Sequence, residues 1–138
     1  MPDIERTLRE FIGEWGKSLD AIIAAFNKYL VADAVWEQRP LPTAYSVEQA
    51  ISLLKTFQNS VGMETFGAEI LNLAVQGNVA FAERIDHVRR ADGSLLASVP
   101  VTGVFEFNRN GKITAWREYF DATGTLRAMG LPDPTATA

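Results

Sequence analysis

The sequence predicts an α+β fold, in which three N-terminal helices pack against one face of a strongly bent, mostly antiparallel sheet. Up to about Gly62 the apolar residues recur at helical spacing. Beyond that point the apolar period changes to two, and short Gly- and Asn-containing turns divide the chain into consecutive strands. Helices followed by strands in hairpin connection are typical of α+β folds.

Each predicted helix has a start signal. Asp3 and Ser18 can cap the first two helices, and Ser46 with Gln49 forms a capping box for the third. Gly16 breaks the chain between the first two helices, and Gly62 ends the third. The apolar residues that share a face in each helix are, in order, Ile4, Leu8, Phe11, Ile12 and Trp15; Leu19, Ile22, Ile23, Phe26 and Leu30; and Ala50, Ile51, Leu53, Leu54 and Phe57.

The predicted strands begin with a short one over residues 35–38, which Pro40 and Pro42 bring to an end. The next four strands cover residues 65–75, 79–90, 95–108 and 112–121. We expect one catalytic domain over residues 1–130 and a disordered tail over residues 131–138, which is rich in Pro, Thr and Ala.

Composition excludes several classes of function. A net charge of −4 without any local run of Lys or Arg argues against binding to nucleic acid or anionic lipid. The chain has no cysteine and one histidine, which removes thiol chemistry and the usual zinc sites, so we expect neither a metal nor a cofactor. Without a signal peptide or an apolar stretch long enough to span a bilayer, the protein is expected in the cytoplasm.

Three charged residues stand where apolar ones are expected. Strand alternation places Arg84 and Asp86 on one face of the second hairpin strand, together with Ala82 and Val88. In the last strand Glu118 shares a face with two aromatic residues, Trp116 and Phe120. An ion pair on a solvated sheet face is the simpler interpretation. The apolar and aromatic neighbours also fit a site inside the fold, where two carboxylates sharing one environment would leave one of them protonated.

The segments 40–45, 83–86, 103–105 and 113–121 resemble, in order and spacing, the motifs of the limonene-1,2-epoxide hydrolase family. This family belongs to the group of cone-shaped folds that includes nuclear transport factor 2, ketosteroid isomerase and the SnoaL-type polyketide cyclases. The resemblance covers roughly residues 34–121, and it implies the same cone-shaped, nuclear transport factor 2-like fold.

The resemblance also assigns roles. The family's catalytic Arg-x-Asp falls on Arg84 and Asp86, and the Asp of its Trp-Arg-Asp-Tyr-Phe motif falls on Glu118, so the third member is a Glu here. It implies that Asp86 protonates an epoxide oxygen, that Glu118 takes a proton from water, and that Arg84 bridges the two. The family's water-holding Tyr and Asn fall on Trp36 and Gln38; the Trp offers only an N–H donor.

The resemblance further implies an apolar substrate pocket and a partner. The residues expected to line this pocket are Leu54, Phe57, Val61, Met63, Val88, Val99, Val101, Trp116 and Phe120. Such a lining suits a small apolar, terpene-like or cyclic epoxide. Relatives dimerise through the outer sheet face, where Phe81 and Ile85 would otherwise be exposed, so a homodimer is expected. By strand parity His87 points to that outer face, away from Asp86.

Two other functions stay open. One acid and one base in the same pocket could instead perform an isomerisation, a cyclisation or a lyase step. The fold could also serve as a non-catalytic binding module, although keeping charges in an apolar pocket without a task is costly.

Overall fold

The computed structural model describes residues 2–132, so most of the predicted tail, residues 133–138, lies outside the described residues. The helices are α1 (Ile4–Gly13), α2 (Leu19–Tyr29), α3 (Val47–Val61) and α4 (Ala122–Ala128). The strands are β1 (Leu30–Glu37), β2 (Met63–Gln76), β3 (Val79–Arg90), β4 (Leu95–Phe107) and β5 (Ile113–Phe120). None of the helices in this part of the chain is both long and apolar enough to cross a membrane.

The predicted caps begin the first three helices. Asp3 Oδ1 accepts a hydrogen bond from the Arg6 amide and Ser18 Oγ one from the Ala21 amide, each at 3.0 Å. Ser46 Oγ accepts from the Gln49 amide at 3.1 Å. The side chain of Gln49 accepts from the Tyr45 amide, one residue before the donor that a capping box uses.

The strands of residues 2–132 form a five-stranded sheet in the order β1-β5-β4-β3-β2. β2 to β5 are consecutive antiparallel neighbours, as the hairpin turns predicted. β1 pairs parallel with β5, because it enters the sheet directly from α2 and not through a hairpin. β1 therefore starts at Leu30, which the sequence had assigned to the second helix, and it ends one residue before Gln38.

Two features were not predicted. The short helix α4 follows β5, with the Asp121 side chain accepting a hydrogen bond from the Gly124 amide at its start. β2 begins at Met63 instead of residue 65 and has a register shift between Met63 and Thr65. Phe66 pairs with Val88 on the inner face, and its neighbour Thr65, which pairs with Arg89 on the other face, is buried as well.

A cluster of aromatic rings fills the core between the helices and the sheet. Trp116 stacks against Trp36 at 4.7 Å and against Trp15 at 5.2 Å between ring centroids. Trp15 is held in place by its own backbone, since its carbonyl accepts a hydrogen bond from the Phe66 amide at 3.1 Å. The loop after α1 lies so close to β2 that a Cβ on Gly67 would be 3.0 Å from the Cα of Gly16.

Candidate active site

Strand alternation and register bring the three charged residues together. Arg84 and Asp86 lie on the inner face of β3, and Glu118 lies on the inner face of β5, with β4 between them. Arg84 donates to Asp86 through two parallel hydrogen bonds, Nε to Oδ1 at 2.8 Å and Nη2 to Oδ2 at 2.9 Å. Its Nη2 also donates to Oε1 of Glu118. The guanidinium therefore bridges the two carboxylates.

The guanidinium is enclosed by protein. The Arg84 side chain has no exposed surface, and its Cζ lies 4.9 Å from the centroid of the Trp15 ring. Burial alone would lower the pKa of Arg84, but the charges of Glu118 and Asp86 outweigh burial and raise this pKa. Arg84 therefore stays a cation, and its position is fixed by two carboxylates and one aromatic ring.

Glu118 has the properties of a group that exchanges protons near neutral pH. Burial raises its pKa from 4.5 to about 7, against the opposing effect of the Arg84 charge and hydrogen bond. The nearby charge of Asp86 adds to the increase. A carboxyl group with a pKa near 7 can act as an efficient acid or base at neutral pH, unlike an exposed glutamate.

A cavity lies next to the cluster, and both carboxylates are part of its wall, whereas Arg84 lies behind them. Apart from Asp86 and Glu118 the wall is mostly apolar. The predicted residues that line it are Trp36, Gln38, Leu54, Phe57, Met63, Val88, Val99, Val101 and Phe120.

Two predicted lining residues are not in the wall. Trp116 has the expected strand face but is only 1% exposed, because Trp36 and Trp15 cover its ring. Val61 is in the last turn of α3 and packs against the hydrophobic core instead. Neither residue borders this cavity, and their role in substrate binding stays a prediction.

Five lining residues were missed in the sequence: Leu41, Phe66, Thr125, Leu126 and Met129. Leu41 comes from the proline-rich loop, for which no periodic pattern exists. Phe66 lies on the inner face of β2, where it pairs with Val88 of β3. The other three belong to α4 and the residue after it, and the Asp121 cap was the only signal that could have located this helix.

The two residues at the water-holding positions differ in surroundings. Gln38 follows β1 and lines the cavity, and within residues 2–132 its side-chain amide makes no hydrogen bond. Trp36 also lines the cavity, but its Nε1 is buried and has no acceptor in the described part of the chain. Gln38 is thus the polar group of this pair that is free to contact a ligand.

His87 lies on the outer face of the sheet, as parity predicted, where its Nδ1 is 2.9 Å from Ser98 Oγ. It does not reach Asp86 or the cavity. The arrangement on the inner face, with one bridged pair of carboxylates in an apolar wall, can donate one proton and accept another without a nucleophilic side chain.

Comparison with known structures defines the class of fold. A nuclear transport factor 2-like protein of unknown function from Burkholderia pseudomallei superposes with a TM-score of 0.76 at 15% identity, over 94% of this chain and 98% of the other. A candidate SnoaL-like polyketide cyclase from Shewanella denitrificans gives a TM-score of 0.74 at 14% identity, over 94% and 98%. The fold is therefore the open, curved sheet of the nuclear transport factor 2-like and SnoaL-like proteins.

Sequence comparison defines the family. Residues 6–130 match the model of the limonene-1,2-epoxide hydrolase catalytic domain. The epoxide hydrolase EphG of Mycobacterium tuberculosis is 32% identical over 112 residues, which cover 76% of this chain and 71% of that protein. The structure of an M. tuberculosis LEH-like epoxide hydrolase has a TM-score of 0.69 at 24% identity, over 91% of this chain and 84% of the other. The chain belongs to the limonene-1,2-epoxide hydrolase family.

Proposed function

We propose that this protein is an epoxide hydrolase that opens a small apolar epoxide to a vicinal diol in one step. The observation that carries the proposal is the bridging of Asp86 and Glu118 by the buried Arg84 in the wall of an apolar cavity. The similarity to an M. tuberculosis protein that is named an epoxide hydrolase adds support to this proposal. The mostly apolar wall favours a hydrocarbon skeleton over a polar one.

In this mechanism Asp86 is the acid and Glu118 is the base. Protonated Asp86 gives its proton to the epoxide oxygen as the ring C–O bond breaks. Ionised Glu118 takes a proton from a water molecule as the water oxygen bonds to the ring carbon. Each transfer contributes about 10²- to 10⁴-fold to the rate. The diol then carries one oxygen from water, and the proton returns from Glu118 to Asp86 before the next turnover.

The raised pKa of Glu118 supports its role as base. A base with a pKa of about 7 holds the proton that it takes from water more strongly than an ordinary carboxylate does. Because both carboxylates share one guanidinium, the proton belongs to the pair, and the productive form has it on Asp86. Gln38 is the side chain that we assign to the attacking water.

The test is turnover of cyclic and terpene-derived epoxides in ¹⁸O-labelled water. In a single turnover with excess enzyme, the label should enter the diol directly, because no ester with the enzyme forms. The Asp86→Asn variant is the matched control, since it keeps the shape of the acid but removes its proton. No diol from any member of the panel, or label that first enters Asp86 or Glu118, would contradict the proposal.

A second candidate is a proton-transfer enzyme, such as an isomerase, a cyclase or a lyase. The position of Trp36 favours this second candidate. Its indole N–H is buried in the ring cluster and therefore cannot help to hold an attacking water. Such an enzyme would exchange a substrate C–H for C–D in D₂O and would form no diol. Incubation of carbonyl compounds in D₂O therefore separates the two candidates.

We also propose that the protein is a homodimer whose contact lies on the outer face of the sheet. That face has an apolar patch, which we define as Phe81, Ile85, Pro100, Val104 and Tyr119. In the single chain Phe81 is 38% exposed and Tyr119 is 59% exposed. An apolar patch opposite the cavity would be covered by a second copy without blocking the entry of substrate.

A further inference from the structure

Gly103 occupies the centre of the charged cluster. It lies on β4 at an inner-face position, and in the sheet register it stands opposite Glu118 on β5 and opposite Ala82 on β3. Arg84 pairs with Val101, two residues earlier on β4. The backbone of Gly103 therefore lies next to both the Arg84 guanidinium and the Glu118 carboxylate.

Backbone conformation does not explain this glycine. The glycines with positive φ in residues 2–132 are Gly62, Gly77, Gly93, Gly111 and Gly130, which sit in turns or at a helix end. Gly103 is not among them, and it lies inside a regular strand, where an alanine would adopt the same dihedral angles. Glycine in a strand interior also weakens the strand, so the position needs another reason.

The reason is steric, because a side chain at residue 103 has no room. A Cβ on Gly103 would lie 2.5 Å from Nη1 of Arg84, 2.8 Å from Oε2 of Glu118 and 2.9 Å from Cε1 of Phe105. All three distances are shorter than non-bonded carbon contacts allow. The neighbours cannot easily move away, because Arg84 is fully buried and is already held by Asp86 and the Trp15 ring.

The two polar atoms that would meet this Cβ share another property. Arg84 Nη1 and Glu118 Oε2 are buried, and neither has a hydrogen-bond partner in the described part of the chain. They are the second nitrogen and the second oxygen of the groups whose Nη2 and Oε1 atoms are bonded to each other. A methyl group at residue 103 would clash with both atoms and would displace the carboxylate and the guanidinium from their present positions.

We infer that Gly103 is a positioning residue. Its lack of a side chain leaves room for the carboxylate of the long Glu118 side chain to bind Arg84. This assignment rests on the proposed function for its effect on rate. It also makes a structural statement about a pair, because a Cβ at residue 103 would meet Oε2 of Glu118 as well as Nη1 of Arg84, and a shorter carboxylate at residue 118 leaves room for both groups to shift. An alanine at 103 should therefore be tolerated better when residue 118 is one methylene shorter.

The experiment is a double-mutant cycle with Gly103→Ala and Glu118→Asp. We expect Gly103→Ala to lower kcat by about 10²-fold with little change in KM, since a displacement of about 1 Å in a catalytic group has effects of this size. Glu118→Asp should also lower kcat. The double variant should be at least tenfold more active than the product of the two losses predicts. The control is Gly13→Ala, because a Cβ there meets nothing within 4 Å.

A second readout does not depend on activity. The Nε–H resonance of the buried Arg84 in ¹⁵N NMR reports the contact with the carboxylates. It should shift in Gly103→Ala, return towards its original position in the double variant, and stay in place in Gly13→Ala. If Gly103→Ala does not fold, folding of the double variant is the supporting result.

Losses that simply multiply, or an Arg84 resonance that Gly103→Ala leaves unchanged, would overturn the inference. So would a double variant that fails to fold while Glu118→Asp folds. If the protein hydrolyses no epoxide but the NMR coupling is observed, the proposed function is wrong and the inference about Gly103 stands.

Discussion

The guanidinium of Arg84 lies over the indole ring of Trp15, with Cζ 4.9 Å from the ring centroid. The ring comes from the turn after α1, far from β3 in the sequence, and it is itself fixed by stacking on Trp116. The turn after the N-terminal helix thus contributes directly to the geometry of the charged cluster. Both residues are fully buried, so the contact is not weakened by water.

Trp15→Leu should impair the cluster more than it impairs the fold. A buried cation–π contact is worth about 1 to 2 kcal/mol, which corresponds to roughly a tenfold loss of kcat/KM. The control is Phe11→Leu, which alters a ring in α1 that packs on Trp15 and Trp116. Both variants should lower the melting temperature, and only Trp15→Leu should lower kcat/KM well below that temperature. Equal losses of kcat/KM in the two variants would show that packing alone is responsible.

Glu118 should make the stability of the protein depend on pH. Its pKa is about 7 in the folded state and near 4.5 when unfolded, so between these values the folded protein binds the extra proton. The stabilisation is therefore complete below about pH 4.5 and is lost as the pH rises through about 7. A shift of this size corresponds to about 3 kcal/mol.

The measurement is the free energy of unfolding by urea at several pH values, for the protein and for Glu118→Gln. The difference between the two curves isolates residue 118 and its coupling to Asp86, because the remaining titrating groups are shared. That difference should fall between about pH 4.5 and 7 and be constant above. A difference that does not change across this range would contradict the raised pKa.

The fold could be predicted from local patterns where the pattern is periodic. The caps at Asp3, Ser18 and Ser46 and the change of period near Gly62 were sufficient for three helices and four antiparallel strands. The parallel pairing of β1 with β5 could not be predicted, because it joins segments that are distant in the sequence. α4 was missed because seven residues are too few for a helical period to become visible.

The candidate site could also be predicted only in part from the sequence. Parity placed Arg84, Asp86 and Glu118 on inward faces, and the resemblance was what favoured their convergence over a solvated ion pair. Phe66 also obeys this parity, since it pairs with Val88, but parity alone does not show which inner-face residues reach the cavity. Parity gave the right face for Trp116 but could not show that Trp36 and Trp15 would cover the ring. The roles of acid and base stay predictions.

The pH dependence of kcat/KM should report the proton that Asp86 and Glu118 share. The productive form holds one proton on the pair, so kcat/KM should fall as the pH rises through about 7, where that proton leaves. Initial rates in buffers of constant ionic strength from pH 5 to 9 locate this limb. In Glu118→Asp, whose carboxyl is placed differently, the position of this limb should shift. A profile that rises through about 7 would contradict the shared proton, because activity would then require both carboxylates to be ionised.

Gln38 should matter for the attack of water more than for the binding of substrate. Its amide is in the cavity wall and is free within residues 2–132, so it can hold a water molecule next to Glu118. Gln38→Ala should lower kcat by about 10- to 100-fold with KM nearly unchanged. Leu41→Ala, which removes an apolar part of the same wall, should instead raise KM. A Gln38→Ala variant that only raises KM would assign Gln38 to substrate binding.

The outer face of the sheet should control the oligomeric state. Phe81 projects from the middle of the apolar patch, and a lysine there would place a charge in the proposed contact between two copies. Phe81→Lys should therefore be monomeric at micromolar concentration in size-exclusion chromatography with light scattering, whereas the unaltered protein should be a dimer. The control is Val75→Lys, because Val75 is 42% exposed but pairs with Ala80, which belongs to the inner-face set of β3. A monomeric unaltered protein, or a dimer that persists in Phe81→Lys, would show that this face is not the contact.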